Sequence, residues 1–139
     1  MSARTKARKR AIDAIFASDL RKEDPSVLLG ASYRQVEDRQ NQDEIFNYAQ
    51  TIVDGVVEHY EEIDDLLETY AQDWSIDRMP TLDRAILRCA LWEILYNTEV
   101  PAGVAINEAV EIAKEYSTDE SGGFINGLLS KIASTREAK

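Results

Sequence analysis

Apolar residues in this chain recur every three or four positions and never alternate with period two for long, a pattern that predicts helix nearly throughout. Over residues 5–20, Ala7, Ala11, Ile12, Ile15 and Phe16 fall on one face of an amphipathic helix. Asp24-Pro25-Ser26 ends that helix and opens a second over about 26–36. Residues 37–43 are uniformly polar and read as a loop, with Asn41 and Glu44 at the spacing of a capping box. A long periodic stretch follows over 43–72, with a break expected near Tyr60–Ile63. Ser75 to Pro80 reads as a connection. Three further helices are predicted over 81–96, 103–116 and 121–134, the last preceded by a second capping-box pair, Ser117 and Glu120. Val100-Pro101-Ala102-Gly103 punctuates the chain between the first two of these. Seven short helices in 139 residues make a single all-α domain, 1–139, with sub-bundles at about 1–74 and 75–139 sharing one core.

Charge changes the picture more than composition does. Of the 16 basic residues, five (Arg4, Lys6, Arg8, Lys9 and Arg10) fall in the first ten positions, where there is no acidic one. The remaining 11 face 26 acidic residues, a net −15 over residues 11–139. Such a chain repels polyanions everywhere except at one edge. Cations in the first turns of a helix oppose its dipole by a few tenths of a kcal/mol each, so a helix that keeps them has another use for them. Several phosphates could be neutralised at once, and an arginine-rich helix suits RNA. Tyr116 is the best placed aromatic for stacking, and a partly buried core tyrosine is an equal alternative.

Candidate chemistry is otherwise sparse. The single Cys89 lies in an apolar run and reads as a buried small hydrophobe, with no disulfide. With one histidine, His59, which reads as a solvated surface residue, no usual zinc set can be built; a nucleophile–base pair would need Cys89 and His59, both better explained structurally, and no cofactor is called for. The carboxylate runs at 61–65 and 115–120 read as solvated faces. Gly122-Gly123 reads as a tight turn at a helix start, and Gly55 as a site of close helix packing. Trp74 and Trp92 read as core, with a partly exposed Trp92 as a possible protein anchor. Asp13 interrupts the first apolar stretch, so it is no secretory leader, and no run is long enough to span a bilayer. A cytoplasmic location follows as the expectation.

Three motif runs carry a family resemblance. They are Asp83-Arg84-Ala-Ile86-Leu87-Arg88, then Ile106-Asn107-Glu108-Ala109-Val110-Glu111-Ile-Ala113-Lys114, then Phe124-Ile-Asn126-Gly127-Leu-Leu129, in that order after the basic N-terminus. The whole chain resembles the NusB family of bacterial transcription antitermination factors, and its wording is most like the actinobacterial members. The resemblance implies an all-helical fold and binding to the boxA element of nascent ribosomal RNA transcripts. It implies a partner, NusE, which is also a small-subunit ribosomal protein, and loading onto RNA polymerase. RNA contacts carry over to Arg4, Lys6, Arg8, Lys9 and Arg10, and to Tyr116, Glu120 and Ser121. Gly123 stands where the family often has a basic residue. Partner contacts are expected at the Asp13/Phe16 end of the first helix and on the outer face of helix 81–96 with Asp83 and Trp92. Some members are dimers. Asn107 and Glu108 read as favouring a helix dipole, and Asn126-Gly127 as a close helix crossing. Two other readings stand beside this one. The same fold precedes the catalytic domain of ribosomal RNA cytosine methyltransferases, for which 139 residues leave no room. A protein-interaction module without RNA binding would also suit the acidic surface.

Overall fold

The computed structural model describes residues 1–37, 40–71 and 75–136. Its elements are α1 (Ala3–Arg21), α2 (Pro25–Arg34), α3 (Gln42–Glu58), α4 (Tyr60–Tyr70), a 3-10 turn (Ile76–Arg78), α5 (Thr81–Tyr96), α6 (Ala102–Tyr116) and α7 (Asp119–Arg136). Trp74 lies outside the described residues.

Local chemistry sets most boundaries. Ser2 caps α1 by accepting the Thr5 N–H at 3.1 Å, and Lys22 ends it in the left-handed region at φ 58°. Asp24 caps α2 through the Ser26 N–H at 2.8 Å, with Pro25 pre-set at the first helical position. Pro80 and Pro101 stand just before α5 and α6.

Three expectations are corrected at the caps and breaks. Asn41 sits at φ 64° and makes no side-chain cap, because a residue in the left-handed region cannot aim its side chain back as the extended N-cap does. At α7 the cap is Thr118, one residue later than the Ser117/Glu120 pairing predicts, and its hydroxyl accepts the Ser121 N–H at 3.0 Å. The long periodic stretch breaks at His59, just before the expected place. That histidine is half-buried and stacks on Tyr96, with ring centroids 3.8 Å apart and 10° between planes, so it is no solvated surface residue.

α5 is the axis of the molecule. It packs against α1, α3, α4, α6 and α7, and every residue from Ala85 to Ile94 is buried. A helix buried on all sides must be apolar all round or satisfy its charges internally. α5 does the latter. Arg88 binds Asp64 of α4 through Nε (2.9 Å) and Nη2 (3.0 Å) and reaches Asp19 of α1 at 3.3 Å. Arg84 pairs with the same Asp19 at 3.0 Å. The resemblance motif Asp-Arg-x-Ile-Leu-Arg is thus a structural clasp between α1, α4 and α5.

Gly55 on α3 gives the indole of Trp92 its space: a Cβ there would stand 1.9 Å from Nε1. Gly122 and Gly123 lie inside α7, neither with positive φ, so they form no turn. Gly122 lets α7 approach the Lys114 side chain, whereas Gly123 faces open space. Asn126 and Gly127 are exposed, and nothing lies within 4 Å of a Cβ at Gly127. They mark no helix crossing.

Candidate nucleic-acid interface

Burial separates the five N-terminal cations of α1, because the helix packs one face on the bundle and leaves the other to solvent. Arg8 shares the inward face with Ala7, Ala11, Ile12 and Ile15 and is 7% exposed. Its Nε donates to Glu93 Oε1 at 2.8 Å and its Nη2 to Glu93 Oε2 at 3.0 Å, a bidentate pair. Its Nη1 reaches Glu108 Oε1 at 2.8 Å. Burial opposes the Arg8 charge, but the Glu93 hydrogen bond and the charges of Glu93 and Glu108 outweigh it and raise its pKa. Arg8 is therefore a core ion-pair residue rather than a surface RNA contact. Glu108 accepts from Thr5 as well, at 2.5 Å, and acts through these contacts rather than through a helix dipole.

The other four cations keep access to solvent. Lys6 is exposed. Arg4 is exposed and sits over Tyr48 of α3, its guanidinium carbon 3.7 Å from the ring centroid. Tyr48 in turn donates to Glu93 Oε2 at 2.5 Å and accepts from Asn97 at 2.9 Å, so Arg4 rests on a fixed platform. Lys9 contacts Glu115 at 2.5 Å and sits 5.6 Å from the Tyr116 ring centroid. Arg10 donates to Ser32 at 3.3 Å and stands 5.4 Å from the Phe46 centroid. The magnitudes rank these holds. The Lys9 side chain is 14% exposed and Glu115 54%, so this half-exposed pair holds more weakly than the buried Arg8 pair and its Glu115 end is open to exchange for a phosphate. The buried Arg8 pair costs several kcal/mol to break.

Lys6, Lys9 and Arg10 line a surface cleft of about 430 Å³ with Asp13, Tyr116, Ile45 and Gln42. Gln42 and Ile45 come from the start of α3, and no motif marks them; only the packing of α3 on α1 brings them to the basic edge. The Gln42 Oε1 is buried with no hydrogen-bond partner. Asp13 is exposed as a residue, but neighbouring protein atoms strip its carboxylate of part of its water, which raises its pKa against the lowering by Arg10 and Lys9. The half-buried Tyr116 has its phenol pushed up to about 12, first by burial and then by the charges of Asp13 and Glu115, so it remains a neutral ring at physiological pH.

Of the remaining expected residues, Glu120 is exposed at the start of α7, and Ser121 is half-buried, its hydroxyl donating to Asp83 Oδ2 at 3.2 Å. Phe16 is half-buried against the core. Asp83 (3% exposed) and Trp92 (8% exposed) are corrected: α5 has no outer face, so neither side chain is presented to a partner. Burial raises the Asp83 pKa, with the Ser121 hydrogen bond opposing it. Among the described residues no cluster of histidine, cysteine and carboxylate side chains could hold a metal ion. No described helix is long and apolar enough to cross a membrane.

Comparison with known proteins matches this architecture closely. The chain is 52% identical over 136 residues to the transcription antitermination protein NusB of Leifsonia xyli subsp. xyli, covering 98% of this chain and 94% of that one. Its fold superposes on the NusB of T. maritima with a TM-score of 0.85 at 34% identity, covering 96% and 92% of the two chains. It also superposes on a chain of a crystal structure of antitermination factors NusB and NusE in complex with double-stranded RNA, with a TM-score of 0.84 at 30% identity, covering 97% of this chain and 98% of that one. The NusB family model matches residues 5–134, and this chain belongs to the NusB family.

Proposed function

We propose that this chain is a transcription antitermination factor that binds the boxA element of nascent ribosomal RNA through the α1 edge, together with NusE. In this reading the pair is loaded onto RNA polymerase in the cytoplasm, where it supports processivity and ribosomal RNA maturation. Its role is regulatory rather than catalytic. The observation that carries the proposal is the sorting of the cations. One is spent inside the core, while Lys6, Lys9 and Arg10 rim a cleft beside Tyr116 on an otherwise acidic protein. Arg4, Glu120 and Ser121 flank the same reading as further RNA contacts. The likeness to a NusB–NusE–RNA complex supports both partners.

The acidic remainder, net −15, complements a basic ribosomal protein and steers its approach. Phe16, half-buried on α1, is the partner-facing residue, and Asp13 lies in the basic cleft itself. A second copy of the chain is a further candidate partner.

The test is the affinity for a boxA-like RNA of the variant with Lys6, Lys9 and Arg10 changed to Ala, across a salt series. Each lost phosphate contact flattens the slope of log K against log salt by about 0.7–0.9. A total flattening of about 2–3 is expected, and an unchanged slope refutes the reading. RNA binding absent in the parent chain, with the partner still bound, favours the protein-interaction module instead.

A further inference from the structure

The α1 edge holds more than positive charge. The cleft between α1, the start of α3 and the end of α6 has about 430 Å³ of space, within the range of about 300–1,000 Å³ typical of small-ligand sites. Phosphate binding needs only an exposed cationic surface, and a recess of this size is unnecessary for it. Two groups in the recess repel phosphate. The Asp13 carboxylate accepts hydrogen bonds and donates none when ionised. The Gln42 Oε1 is a buried acceptor with no partner. A buried acceptor left unpaired is costly and calls for a donor from a ligand or ordered water.

One recess is therefore lined by three cations, one half-buried aromatic ring, the exposed Asp13 carboxylate and the Gln42 side chain, whose buried Oε1 a base would reach only on a small rotation of that side chain. Single-stranded RNA is read by splaying out a base, stacking it on an aromatic ring and hydrogen-bonding its Watson–Crick edge. The pattern of acceptors selects among bases. Guanine presents two adjacent donors, N1–H and the 2-amino group, which a carboxylate accepts together. Adenine and cytosine each present one amino donor beside a ring-nitrogen acceptor, which a carboxylate repels. Uracil presents one donor between two carbonyls. Guanine O6 is an acceptor, and Lys6, Lys9 and Arg10 supply the donors for it and for the flanking phosphates.

We propose that this cleft is a base-reading pocket for one unstacked guanine, with Asp13 and Gln42 as its specificity-determining residues and Tyr116 as its stacking surface. The proposal deepens, and rests on, the RNA-binding reading above. It assigns Asp13 to the RNA rather than to the protein partner.

The experiment is a fluorescence-anisotropy titration of the full chain with twelve-residue oligouridylates. Each carries one central guanosine, inosine, adenosine or cytidine. The guanosine RNA is expected to bind about 5- to 100-fold more tightly than the adenosine or cytidine RNA, the range of a bidentate side chain–base contact. Inosine, which keeps N1–H and lacks the 2-amino group, falls between. Asp13→Ala, an exposed position, abolishes the preference while leaving the salt slope unchanged, and Gln42→Leu reduces it. Salt-dependent binding with equal affinity for guanosine, adenosine and cytidine overturns the pocket and leaves the RNA reading standing. A guanosine preference that survives Asp13→Ala also overturns it. Failure of every RNA to bind overturns both.

Discussion

Changing Arg8 to Ala should cost stability and leave the electrostatics of RNA binding alone. The two consequences separate a core ion pair from a phosphate contact. The side chain is bidentate to Glu93 and monodentate to Glu108, and the Arg8 and Glu93 side chains are 8% and 3% exposed. Truncation strands the Glu93 carboxylate in the core, with Tyr48 as a remaining hydrogen-bond donor. Removing one partner of a buried pair costs about 3–5 kcal/mol. Against a total stability of about 5–15 kcal/mol, that is a large fraction. Raised as its pKa is, Arg8 stays charged at every pH below its ordinary value, so the loss should be the same at pH 6 and pH 9. Urea denaturation followed by circular dichroism measures it. The double variant Arg8→Met, Glu93→Gln removes both charges and should recover most of the loss, because a neutral replacement avoids the stranded carboxylate. Below the melting transition, Arg8→Ala should keep the parent salt slope for RNA. Stability within about 1 kcal/mol of the parent, together with a slope flattened by about 0.7–0.9, would place Arg8 on a phosphate and refute the reasoning.

The same substitution should have opposite signs at two glycines. Gly55→Ala drives a methyl into the Trp92 indole, 1.9 Å from Nε1, and should destabilise by about 1–3 kcal/mol. Gly127→Ala meets nothing within 4 Å and should stabilise α7 by about 0.5–1 kcal/mol; equal effects on denaturation midpoint would contradict the packing described. Cys89 is fully buried and its thiol pKa is pushed well up by that burial, so alkylation by iodoacetamide at pH 8 should proceed only through unfolding. Rapid native-state labelling would count against a closed core at α5. The Tyr48 phenol is pushed up to about 12, by burial first and the Glu93 hydrogen bond second. An unfolded tyrosine ionises near 10, so stability should fall as pH rises from about 10 to 12. Tyr48→Phe should remove part of that alkaline loss, and an identical pH profile in both proteins would argue against the buried network.

The helices were legible because their apolar spacing is regular and their ends carry Pro, Ser or Asp. Thr81–Tyr96 matches its expected range, and α1 and α6 extend it by only one or two residues at either end. What escaped depends on contacts distant in sequence. Arg8 looked like its four neighbours by charge, yet it stands three, four and seven residues before Ala11, Ile12 and Ile15, on the inward face. That spacing was the available signal, and Glu93 inside an otherwise apolar run was its counterpart. Asp83, and Trp92 in its second reading as a partly exposed anchor, were placed on an outer side of α5, whereas the first reading of Trp92 as core agrees with its burial. Five neighbouring helices remove that side, and helix count alone does not reveal which helix is central. Gln42 and Ile45 carried no signal at all, since a polar loop end and a single isoleucine join the cleft only when α3 docks on α1. Asn41 misled because its side chain fits a cap while its backbone adopts the left-handed conformation at φ 64°.

The central claim is that one edge of an acidic protein binds boxA RNA in concert with a basic ribosomal partner. The direct measurement is a titration of the chain with a boxA-like RNA and a scrambled one at two salt concentrations, with and without purified NusE. The account predicts tighter binding of the boxA-like RNA, further tightening by the partner, and weakening with salt. Equal affinity for the two RNAs, or partner binding with no RNA binding in any arm, would contradict it.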